Sequence, residues 1–75
     1  MGVPAFAMPG EQVWAMGLHA GSRKRFKAEV VSLRTQFPRI VVKYIATEDD
    51  ETAAIALPEM ATAYLHAADL EPKDW

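Results

Sequence analysis

The chain contains no cysteine. Small secreted domains usually depend on disulfide staples, so a reducing compartment is expected. Glycine is also scarce: four residues, scattered, form no glycine-rich phosphate loop. The only histidines, His19 and His66, show no metal-ligand spacing. The serines between them, Ser22 and Ser32, are not set in a G-x-S-x-G elbow. No apolar run approaches the roughly 20 residues a bilayer requires. Met1-Gly2-Val3-Pro4 lacks the basic and apolar regions of a signal peptide. These absences predict a non-enzymatic protein without cofactor, metal or membrane association.

What remains is ordinary globular composition, 51% hydrophobic and 24% charged over 75 residues. That is one domain, and it argues against disorder. A domain of this length buries only about 60% of the surface its unfolded chain exposes, so its core is thin. Residues 1–8 are expected to be a flexible N-terminus, 9–72 the folded unit and 73–75 a tail.

The net charge of −2 conceals an asymmetry. Residues 1–47 carry seven Lys and Arg against Glu11 and Glu29, whereas residues 48–75 carry eight Asp and Glu against Lys73. Either the domain presents a basic and an acidic patch, or the two halves interleave in space and neutralise each other.

Four segments read as strands. Gln12 to Met16 follows the Pro9-Gly10 turn signal. Arg25 to Leu33 alternates, with Phe26, Ala28 and Val30 on one face and Lys27 and Glu29 on the other. Arg39 to Ala46 is rich in β-branched residues. Thr52 to Leu57 is a weaker, alanine-rich candidate. Gly17 to Lys24 reads as a longer loop, Arg34 to Pro38 as a short polar link, and Glu48-Asp49-Asp50-Glu51 as an acidic one. Residues 58–70 admit two readings. One is a helix with Ala61, Tyr64, Leu65 and Ala68 on one face; the other is a loop, a short strand at Tyr64-Leu65-His66 and a single turn ending at Asp69-Leu70.

Several short pieces then fall in a familiar order. Gly10-Glu11-Gln12-Val13-Trp14-Ala15 resembles the opening strand of Tudor and PWWP domains, often G-x-x-V-W-A. Phe26-Lys27-Ala28-Glu29-Val30 resembles their second strand. Ile40-Val41-Val42-Lys43-Tyr44 with the acidic stretch after it resembles their third strand and following loop. Ala68-Asp69-Leu70-Glu71-Pro72 resembles their closing turn. The likeness covers roughly residues 9–72. It implies an all-β fold: a small, strongly bent, five-stranded antiparallel SH3-like barrel of the Tudor type, with a short helix or 3-10 turn near its end.

The resemblance also implies a nuclear chromatin reader that binds histone tails or other basic peptides, often methylated on lysine. Such readers hold the methylammonium in an aromatic cage with an acidic neighbour, each ring contributing about 0.5–2 kcal/mol. Carried over, the peptide-binding positions are Phe26, Tyr44, Asp49 and Asp50. The first-strand cage position falls near Gly17 and Leu18 and a further loop position near Thr47, so two of the usual rings are missing unless Tyr64 or Phe37 substitutes. The plainer alternatives are core packing for Phe26 and a solvated loop for the acids.

The cluster Arg23, Lys24, Arg25 and Lys27 suggests phosphate contacts and weak nucleic-acid binding. The pI of about 5.5 opposes a dedicated nucleic-acid protein. A third reading is an SH3-like interaction domain without a cage, offering Trp14 and Phe37 as apolar surface to a peptide or to another domain.

Overall fold

The computed structural model describes all residues except 1, 20, 46, 50–53 and 57–60; in the segments 47–49 and 54–56 it describes backbone only. Seven strands run in chain order: β1 (Gln12–His19), β2 (Ser22–Leu33), β3 (Ile40–Tyr44), β4 (Thr47–Asp49), β5 (Ala54–Ala56), β6 (Thr62–Leu65) and β7 (Leu70–Pro72). Two 3-10 turns, Ala5–Ala7 and Ala67–Asp69, complete the elements. Five strands form one antiparallel sheet in the order β6-β3-β2-β1-β7. The turn Ala67–Asp69 joins its two outer strands, which gives a small all-β, barrel-like fold. β4 and β5 form a separate hairpin.

Alternation builds the core. Val13 and Ala15 of β1, Phe26, Ala28 and Val30 of β2, and Ile40, Val42 and Tyr44 of β3 all point inward and are buried, with Leu70 and Ala7. Large residues face small ones across the ladder: Phe26 lies opposite Ala15, and Ala28 lies between Val13 and Tyr44. This complementarity lets a thin core pack closely across the ladder. A bulge between Val30 and Ser32 shifts the register on β3 and leaves Val31 exposed.

Three expectations change. The Gly17–Lys24 segment is not a long loop: β1 and β2 stay paired up to His19 and Ser22, and Gly21 supplies the left-handed backbone at the tip, φ +79°. Described residues of the N-terminal segment also pack on the fold. Ala7 is fully buried, Val3 and Phe6 pack on the core, and Gly10 N–H donates to the Val30 carbonyl at 2.8 Å. The alanine-rich strand forms over Ala54–Ala56 but pairs with β4, outside the main sheet. For residues 58–70 the second reading matches what is described: β6, then a single 3-10 turn.

Candidate functional site

The two expected cage rings lie inside the molecule. Phe26 is 4% exposed and Tyr44 7%. They meet edge to face, centroids 5.9 Å apart at 75°. The Tyr44 hydroxyl donates to the Met16 carbonyl on β1. Burial pushes the Tyr44 phenol above its ordinary value, the nearby Asp69 carboxylate adds to this, and Arg23 opposes it. Both rings point inward because they share the phase of Ala28 and Val42; a cage would need open π faces, which these do not present. Asp49 lies in β4 with its side chain outside the described residues, and Asp50 lies outside them altogether.

The basic cluster sits on β2, not on a loop. Arg23 pairs with Asp69 at 3.1 Å and Arg25 with Glu71 at 3.3 Å. Arg25 also stands over the Trp14 ring at 4.5 Å, and Lys27 lies 5.3 Å from the centre of Trp75. Lys24 is exposed. The end of the acidic half therefore meets the basic half: β7 pairs with β1, which pairs with β2, and this brings Asp69 and Glu71 within reach of Arg23 and Arg25. The tail joins this face, with Trp75 edge to face on Trp14 at 5.0 Å and Asp74 accepting from the Trp14 indole N–H.

A third feature lies at the N-terminal end of β3. Phe37, 73% exposed, stacks on His66 at 6.2 Å and 24°. The two rings border a largely apolar groove of about 250 Å³ formed with Val3, Arg39, Ile40 and Leu65. The link between β2 and β3 is tied down on both sides. Arg34 N–H donates to the Arg39 carbonyl at 2.7 Å, and Arg39 Nε donates back to the Arg34 carbonyl at 3.1 Å. Arg34 lies over the Tyr64 ring at 4.2 Å. On the other wall, His66 N–H donates to Asp69 Oδ2 and Asp69 N–H to the His66 carbonyl, which fixes the turn.

Sequence reasoning singled out Phe37 as apolar surface but missed Arg39 and His66. A signal was available: an aromatic in a polar link, in phase with no strand and flanked by Arg34 and Arg39. Trp14, which the third reading sets beside Phe37 as apolar surface, is half-buried and packs against Trp75. Among the described residues no group of three or more His, Cys, Asp or Glu could hold a metal ion.

No protein-family model, no curated protein and no solved structure matches this chain.

Proposed function

We propose that this chain is a non-catalytic peptide-recognition module of the SH3-like kind that engages its partner at the Phe37 groove. The observation that carries the reading is Phe37 itself, a large ring held in water at the rim of an apolar groove. Covering such surface is favourable, and a structured exposed patch marks an interaction site more often than a lone exposed side chain does. The motif likeness to Tudor and PWWP domains agrees with binding instead of catalysis. Their methyl-lysine form of recognition, and the nuclear setting that goes with it, would require Phe26 and Tyr44 to open. Nucleic-acid binding through Arg23, Lys24, Arg25 and Lys27 would compete with Asp69 and Glu71 for the two arginines.

Selection of binders from a random peptide library, followed by NMR amide-shift mapping of the best sequence, tests the reading. Shifts centred on Phe37, Arg39 and His66 that vanish in Phe37→Ala are expected. Binders that map to Trp14 and Arg25, or that tolerate Phe37→Ala, would overturn it, as would a selection with no binders.

A further inference from the structure

The groove has a sign of charge as well as a shape. Among the described residues its lining is apolar apart from Arg39 and His66, and no carboxylate lines it. Among the described residues the ion pairs are Arg23–Asp69 and Arg25–Glu71, so neither Arg34 nor Arg39 has a carboxylate partner there. Arg39 uses Nε on the Arg34 carbonyl, and a guanidinium keeps its terminal N–H donors beyond that bond. The β4 strand leaves the sheet after Tyr44, at the opposite end of β3 from Ile40 and the groove.

Size narrows the occupant further. A groove of about 250 Å³ is smaller than the roughly 300–1,000 Å³ of a pocket that engulfs a small ligand. It suits one apolar side chain, with the rest of the ligand lying across the rim.

We propose that the groove takes an extended acidic peptide, which inserts one apolar side chain beside Phe37 and sets a carboxylate against Arg39. This rests on the peptide-recognition reading above and gives it a ligand chemistry. Arginine suits the task because its planar fork binds carboxylates bidentately. The bond from Arg39 Nε to the Arg34 carbonyl holds the Arg39 guanidinium near one place before the ligand arrives, which lowers the ordering cost of binding. A basic tail at the same place would meet the like charge of Arg39.

Fluorescence anisotropy with the full chain tests this. One probe is a short labelled peptide carrying a Leu-Phe anchor flanked by glutamates; the second has lysines in place of the glutamates; the third has serines. The glutamate peptide should bind tightest, weaken as salt is raised, and lose roughly tenfold in affinity in Arg39→Gln, about the loss of one charge-assisted contact. Arg39→Lys, which keeps the charge, should recover part of that loss. Equal binding of all three peptides, or preference for the lysine peptide, would overturn the charge assignment while leaving recognition at Phe37 intact. Loss of all three peptides in Phe37→Ala is expected; binding that survives it removes the groove itself. Phe37 is exposed, so that variant keeps the fold, and the comparison of peptides on unaltered protein needs no variant at all. A self-association that depends on Phe37 and excludes every peptide would make a second copy the occupant and would also overturn the proposal.

Discussion

Tyr44 closes on Phe26 edge to face while its hydroxyl is spent on the Met16 carbonyl of a different strand. Two rings and one hydrogen bond thus tie β1, β2 and β3 together at one end of the core. Tyr44→Ala should therefore unfold or severely weaken the domain, by about 3–5 kcal/mol, comparable with the whole stability expected of so small a unit. Tyr44→Phe should cost about 1 kcal/mol, through the unpaired Met16 carbonyl. Urea midpoints measure both, and a Tyr44→Ala variant as stable as the parent would contradict the core role.

The same phenol makes stability depend on alkaline pH. Its folded-state value lies above the ordinary 10.0 because burial disfavours the phenolate. Between the unfolded and folded values the native state holds the proton that the unfolded chain has released. Stability is therefore full below about pH 10 and falls as pH rises through the folded value. Comparing urea midpoints at about pH 9 and about pH 11 for the parent and Tyr44→Phe isolates the effect. The parent should lose more; equal losses would show that Tyr44 does not carry it.

Gly21→Ala probes the hairpin tip. A Cβ there meets nothing within 4 Å, so crowding contributes no penalty. The φ of +79° alone should cost about 1 kcal/mol, through the left-handed backbone that an L side chain disfavours. Gly2→Ala, also open and without the positive φ, is the control and should be neutral in thermal melting.

Arg25 and Glu71 form an exposed pair, so their coupling should be small. A double-mutant cycle with Arg25→Gln and Glu71→Gln should return less than about 1 kcal/mol, and less again in high salt. Arg25→Gln should still cost something by itself, because its guanidinium covers the Trp14 ring. A coupling several times larger would mean the pair is shielded far more than its exposure indicates.

The strands were legible because local pattern and global burial agree in them. Phe26-Lys27-Ala28-Glu29-Val30 alternates in and out, and Ile40 to Val42 is β-branched where both neighbours pack. The hairpin tip was not, because Gly17 and Gly21 look alike in sequence while only Gly21 has positive φ. The role of Phe26 and Tyr44 was not legible either. An inward-phase aromatic reads the same whether it lines a pocket or fills a core; what decides is the Met16 carbonyl, brought in from a strand 28 positions away. The groove escaped for a similar reason, since Val3, Phe37, Ile40 and Leu65 come from separate stretches of chain that meet only after folding.

The hairpin of β4 and β5 gives the fold one more property. Among the described residues its strands hydrogen-bond to each other and to no strand of the five-stranded sheet, while β6 resumes the pairing on β3. The ladder extends to Ile45, whose N–H donates to the Lys27 carbonyl, and to Ala61, whose carbonyl accepts from Tyr44 N–H, so the pairing of the sheet is complete up to these two residues. The interval between Ile45 and Ala61 is a natural splice point, where sequence can lengthen, shorten or be exchanged for a foreign segment while the ladder is kept, leaving the groove at the other end of β3 unchanged.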